Sequence, residues 1–180
     1  ESKDYKNYYD EISSKYDSYV PQNKEFTRLI NSFCRNYISK NAKILDLGAG
    51  TGIISQALAK ENYENLTLID ISPKSLDIAR EKIKNKKYEY IAADVLTHNN
   101  KKRYDIIITS MFLDYFKKEC LKKVIIFIKK HLKKDGYYLC IDRHLPEYLP
   151  NYFFQLKKEK LILKTPEGEF LYYFFVGKKV

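Results

Sequence analysis

The sequence predicts an α/β fold: a doubly wound, mostly parallel sheet of about seven strands, helices on both faces, and a C-terminal antiparallel hairpin. Two observations carry the prediction. Short apolar runs alternate with stretches whose apolar residues recur at helical spacing, the pattern of βαβ units around a parallel sheet buried on both faces. The tail then carries two apolar runs about a Pro166-Glu167-Gly168-Glu169 turn, as a hairpin requires. A length of 180 residues suits one domain, which at that size buries ~70% of its unfolded surface.

Each element follows in order. Residues 1–40 read as helical, with a Tyr- and Asp-rich start from Asp4 to Asp17. Lys43 to Leu47 (KILDL) is the first strand, running into Gly48, and Ile53 to Lys60 has helical spacing. Leu66 to Ile69 is the second strand, ending at Asp70, and Ser72-Pro73 opens a helix with an N-cap serine and a proline at the first position. Tyr88 to Ala93, Tyr104 to Ser110 and Tyr137 to Asp142 are rich in aromatic and β-branched residues and read as strands three to five. Before the fifth, Leu121, Val124, Ile125, Ile128 and Leu132 form one helical stripe with Lys118, Lys122, Lys129 and Lys133 mainly opposite, a solvated outer face. Gly136 is the expected C-terminal cap of that helix, with His131 at its border. Leu161 to Lys164 and Phe170 to Val176 are the hairpin strands.

Composition excludes several classes. With 44% apolar and 31% charged residues the chain is neither fibrous nor disordered. Ile106 to Leu113, Val124 to Ile128 and Phe170 to Val176 are its longest apolar stretches, far short of the ~20 residues that span a bilayer. The segment from Glu1 lacks a basic-then-apolar signal pattern. Cys34, Cys120 and Cys140, odd in number and scattered, suit neither a disulfide framework nor a metal site, so a reducing cytoplasm is expected and no metal. The net charge of +10 raises a nucleic-acid partner. However, 28 of the 33 basic residues are Lys, beside many Asn, Ile and Tyr, the composition of A- and T-rich codons, so a solvated lysine surface accounts for the charge.

The informative segment is Ile44-Leu-Asp-Leu-Gly-Ala-Gly-Thr-Gly52. A glycine turn between a strand and a helix lets a nucleotide-like ligand approach the backbone. The dinucleotide fingerprint G-x-G-x-x-G would need glycine at position 53, which is Ile53. This disfavours a nicotinamide oxidoreductase. The spacing Gly48, Gly50, Gly52 after Asp46 resembles the first motif of class I S-adenosylmethionine-dependent methyltransferases, and residues 41–143 follow that family's landmarks in order.

The resemblance implies the following. Asp46, Gly48, Ala49, Gly50 and Gly52 form the cofactor turn, Asp70 accepts from both ribose hydroxyls, and Ile71 packs on adenine. Asp94 and Val95 address the adenine edge, and Ser110 to Leu113 lie beside the methionine half. Structural alternatives stand beside these roles: Asp46 as a brace of the turn, Asp70 as a helix cap, and Asp94 as a loop residue, while Asp105 reads as structural. The cofactor implied is S-adenosyl-L-methionine, the product S-adenosyl-L-homocysteine, and the organisation a single domain over 1–180: helical lid 1–40, cofactor core 41–143, acceptor-side segment and hairpin 144–180. Tyr8, Tyr9 and Tyr16 are lid candidates, one tyrosine over the sulfonium and Tyr16 counted with the cofactor residues, or else packing residues.

On the acceptor side, His144 is the expected base and Arg143 the anchor of an anionic acceptor, both emerging from the fifth strand, or else both are solvated loop residues. Asp114 and Tyr115, after the fourth strand, are the other candidates, and His98 reads as surface. The expected reaction is methyl transfer by in-line displacement to an oxygen or nitrogen of a small metabolite, an anionic one if Arg143 is its anchor. Nucleic-acid methylation is disfavoured because Ser110-Met-Phe-Leu113 stands where an Asn/Asp-Pro-Pro-aromatic motif would be. A non-catalytic cofactor-binding partner subunit is the other alternative.

Overall fold

Seven strands form one sheet in the order β3-β2-β1-β4-β5-β7-β6 in a computed structural model that describes residues 2–19, 23–99, 101–165 and 168–180. The strands are β1 Lys43–Leu47, β2 Asn65–Asp70, β3 Glu89–Ala92, β4 Tyr104–Ser110, β5 Leu132–Asp142, β6 Phe154–Thr165 and β7 Gly168–Lys178. The helices are α1 Ser2–Ile12, α2 Tyr16–Tyr19, α3 Asn23–Tyr37, α4 Ile53–Lys60, α5 Pro73–Ile83 and α6 Lys118–His131. Strands β1 to β5 pair in parallel; β7 runs antiparallel to both β5 and β6. The Pro166-Glu167 part of the expected hairpin turn lies outside the described residues.

Alternation along each strand separates two apolar layers. Ile44, Ile106, Ile108 and Phe174 face one side, where Phe26 and Ile30 of α3, Leu58 of α4 and Leu76 of α5 cover them. Leu45, Ile107, Tyr138 and Phe175 face the other, under Val124, Ile125 and Ile128 of α6. Three consecutive isoleucines, Ile106 to Ile108, are fully buried because β4 is covered on both faces. Of the 1–40 segment, α3 belongs to this core, since Phe26, Leu29, Ile30 and Cys34 are all buried.

Two expected boundaries are corrected. Helix α6 ends at His131, not at Gly136, because Leu132 turns extended and pairs with Tyr104 as the first residue of β5. The strand is irregular between its pairings at Leu132 and Tyr137, and there Asp135 takes the positive φ of 62° and Gly136 does not. Gly136 is needed there for space: a Cβ would stand 3.0 Å from the backbone oxygens of Asp105 and Lys133. Asp105, expected to be structural, holds this corner by accepting from the Lys43 amide at 2.8 Å and pairing with the Lys133 ammonium at 2.8 Å. His131 is buried, its Nδ1 at 2.8 Å from the Phe127 carbonyl, and His98 is half-buried near the same Phe127 ring. Strand β6 starts seven residues before the expected Leu161, at Phe154, because pairing with β7 extends the whole length of the hairpin. No helix among the described residues is long and apolar enough to cross a membrane.

Candidate functional site

Strand β1 has β2 on one side and β4 on the other, and their connections run to opposite faces. At such a switch point the carboxyl ends of the strands diverge and leave a crevice. A cavity of about 160 Å³ occupies it. Its lining draws on the turn after β1, the ends of β2 and β4, the loop after β3 and the N-terminal helices.

The glycine turn is held open by backbone geometry. Gly48 and Gly50 adopt φ of 74° and 51°, the left-handed region that costs a side chain-bearing residue about 1 kcal/mol or more. They differ in what their bare Cα faces. A Cβ at Gly48 would lie 2.2 Å from the Phe112 ring, so this glycine makes room for the loop after β4. A Cβ at Gly50 would meet nothing within 4 Å, so its open side faces the cavity. Gly52 stands outside the lining and serves as the N-cap of α4, packed against Ala79 of α5.

Carboxylates fix the surrounding loops. Asp70 accepts from the Gly50 amide at 2.7 Å and, through its other oxygen, from the Ser72 amide at 2.8 Å. Ser72 is nevertheless the helix cap, its hydroxyl accepting from the Ser75 amide. Burial raises the Asp70 carboxyl above its usual range despite those two donors. Asp46 is buried under the turn, where the Ser55 hydroxyl donates to it at 2.7 Å; burial pushes its carboxyl up to about 6. Asp94 accepts from the Leu96 amide at 2.9 Å.

The structure brings together Asp46, Gly48, Ala49, Gly50, Asp70, Ile71, Asp94, Val95, Ser110 and Tyr16, all of which line the cavity. Of the expected acceptor-side residues it places Tyr115 alone in the lining. Arg143 and His144 instead converge on Asp114, with Nε at 2.9 Å and Nδ1 at 3.1 Å from its two oxygens. The His144 side chain is 85% exposed. This cluster lies beside Tyr115, outside the lining: β5 ends at Asp142 as expected, and the two side chains beyond it are held at Asp114. Of the lid candidates, Tyr9 and Tyr16 reach the cavity and Tyr8 is exposed.

Several contributors have no local sequence signal. Asp142 is fully buried and accepts from the Phe112 and Leu113 amides at 2.9 and 2.6 Å, fixing the loop after β4. Burial and the neighbouring Asp114 charge raise its carboxyl. The acidic end of β5, matching Asp70 at the end of β2, is the one hint the sequence offers. Asp10 accepts the Ser72 hydroxyl at 2.5 Å and so ties α1 to the start of α5. Asp17 accepts from the Thr51 hydroxyl and pairs with the Lys82 ammonium, tying α2 to the glycine turn.

Residues 44–136 match the profile of a family described as a methyltransferase domain. The chain is 28% identical over 123 residues to a malonyl-[acyl-carrier protein] O-methyltransferase of Priestia megaterium, covering 67% of this chain and 44% of that protein. It is 30% identical over 159 residues to the release factor glutamine methyltransferase of Streptococcus pneumoniae, covering 83% and 54%. The chain thus spans about half the length of the curated relatives it matches. In fold it is similar to the N-methyltransferase NodS of Bradyrhizobium japonicum, solved with S-adenosyl-L-homocysteine, at a TM-score of 0.76 and 16% identity over 87% of this chain and 88% of that one.

Proposed function

The chain belongs to the methyltransferase-domain family, and from that premise we propose that it is an S-adenosylmethionine-dependent methyltransferase that moves a methyl group to an oxygen or nitrogen atom of a small molecule, leaving S-adenosylhomocysteine. The observation that carries the reading is the bracket between Asp70 and Gly50 at the switch point of the sheet.

The residues present fit that cofactor. Gly50 offers bare backbone on the cavity side. Each Asp70 oxygen accepts one amide, and a carboxylate oxygen retains a further lone pair for a ribose hydroxyl. Ile71 and Val95 supply apolar walls for a planar base, with Asp94 at its edge. Gly48, Ala49, Asp46 and Ser110 surround the other end, the place of the amino-acid half, with Tyr16 above it. The bound cofactor supplies a methyl group on a positively charged sulfur.

The chain's own part is to position the acceptor in line with that methyl and to exclude water. Residues 2–19 act as the lid, held by Asp10 and Asp17 to Ser72, Thr51 and Lys82. Tyr115 meets the lid from below, its ring 5.5 Å from that of Tyr9. This narrow, aromatic acceptor end suits a small molecule.

Calorimetry tests the reading: S-adenosylmethionine and S-adenosylhomocysteine each bind with a stoichiometry of one and raise the melting temperature by mass action. Binding of NAD with no uptake of either compound overturns it.

A further inference from the structure

The acceptor end of the cavity is walled by tyrosines. Tyr5 and Tyr9 reach it from α1, Tyr16 from α2, and Tyr115 from the turn after β4. Neighbouring rings stand at steep angles: 89° at 5.5 Å for Tyr9 and Tyr115, 71° at 5.9 Å for Tyr5 and Tyr115, and 68° at 6.1 Å for Tyr9 and Tyr16. Rings so disposed present faces from several directions rather than stacking into one layer. The hydroxyls of Tyr9 and Tyr115 hydrogen-bond each other, and burial keeps both phenols neutral.

The charge around this space has the opposite sign to that of the protein. The chain carries +10 overall, yet among the described residues Asp46, Asp70 and Asp94 line the cavity, on the side proposed for the cofactor, against one ammonium, Lys117. Asp142 acts on Tyr16 and Tyr115 from behind the backbone of Leu113. The Arg143 guanidinium, which also acts on Tyr115, is paired with Asp114. His144, half of the same cluster, lies outside the lining. Among the described residues the acceptor end therefore offers ring faces backed by Asp142, with neither a guanidinium clamp for an anion nor a histidine in the lining to take a hydroxyl proton.

Resting on the methyltransferase reading, we infer that the acceptor is an amine whose nitrogen sits against the faces of Tyr9 and Tyr115. The amine lone pair forms the new N–C bond to the donor methyl as the C–S bond breaks, its electron pair remaining on sulfur. The positive charge passes from sulfur to nitrogen, and a primary or secondary amine then releases a proton to water. Charge is conserved within the box, so the same ring faces stabilise the reactants, the transition state and the methylammonium product. An anionic oxygen acceptor would be desolvated against ring faces, with Asp142 behind them, which disfavour it.

The test measures binding rather than turnover, using choline as a stand-in for a methylated amine and neohexyl alcohol as its uncharged carbon isostere. With S-adenosylhomocysteine saturating, choline is expected to bind about tenfold or more tightly than neohexyl alcohol, and tert-butylacetate most weakly. Tyr9→Leu and Tyr115→Leu abolish the preference; Tyr9→Phe and Tyr115→Phe, which keep the ring faces and guard against a folding defect, retain it. Equal binding of choline and neohexyl alcohol, or tighter binding of tert-butylacetate, overturns the inference while leaving the methyltransferase reading intact. Failure of S-adenosylhomocysteine itself to bind overturns that reading, and the inference with it.

Discussion

The amide of Gly50 donates to the carboxylate of Asp70 across 2.7 Å, a bond that joins the glycine turn to the end of the neighbouring strand. Asp70 therefore shapes the turn, and in the proposed function it also receives the ribose. Replacing it by alanine is expected to weaken S-adenosylhomocysteine binding by on the order of 1 to 3 kcal/mol, since a charged acceptor is lost to both partners. Calorimetry on the folded variant checks this. An unchanged dissociation constant leaves Asp70 as a brace alone.

The buried Asp46 gives the stability a pH dependence of known sign. Its folded pKa, about 6, lies above the unfolded value, which for Asp is about 3.9. The native state thus holds the proton more tightly. The favourable contribution is complete below the unfolded pKa and is lost as pH rises through the folded one. Asp46→Asn keeps the acceptor for Ser55 and removes the titration. Between about pH 5 and pH 7 the wild type should lose about 1 kcal/mol or more relative to this variant in urea unfolding. Parallel stability curves would refute the assignment.

Two carboxylates of the proposed lid, Asp17 and Asp10, predict its kinetics. Asp17→Asn removes the pairing with Lys82 and weakens that with Thr51. Stopped-flow dissociation of S-adenosylhomocysteine should accelerate by about three- to tenfold, with a smaller gap between variant and wild type at high salt, because the pair is partly exposed and screened. Asp10→Asn acts through the Ser72 hydroxyl, which it still accepts, and should change the rate less. A rate unaffected by Asp17→Asn at low salt would mean that the lid opens elsewhere.

Cys120 lines the cavity, while Cys34 and Cys140 are fully buried. Burial pushes the Cys34 thiol up to about 12 and raises that of Cys140 as well. Iodoacetamide should therefore modify the native protein once, at Cys120, and S-adenosylhomocysteine should slow the reaction several-fold. Peptide mass spectrometry reads both. Adducts on Cys34 or Cys140 at a similar rate would contradict the packing described for them.

The parts of the fold legible in the sequence are those set by local chemistry. KILDL running into Gly48, Gly50 and Gly52 specifies a buried strand and a turn of positive φ, and Ser72-Pro73 specifies a helix start; both stand where expected. Gly136 misled because a glycine after a helical stripe reads as a cap, whereas Leu132 is captured by Tyr104, a partner 28 residues away. The reach of Asp10 to Ser72 and of Asp17 to Thr51 spans 62 and 34 residues, which no spacing rule encodes. For Arg143 and His144 the strand end was legible, but the direction of the chain beyond Asp142 depends on Asp114, which draws both side chains to itself.

The order of strands in space also dictates an order in time. Strand β6 precedes β7 in the chain, yet it meets the sheet only through β7, which lies between it and β5. A nascent chain that has emerged as far as β6 must keep that lysine-rich strand waiting while the open side of β5 stays bare, since its hydrogen-bonding row has no partner until Tyr173 to Lys178 arrive. Completion of the sheet is thus coupled to delivery of β7, and the hairpin docks as a unit on a core already built from β1 to β5.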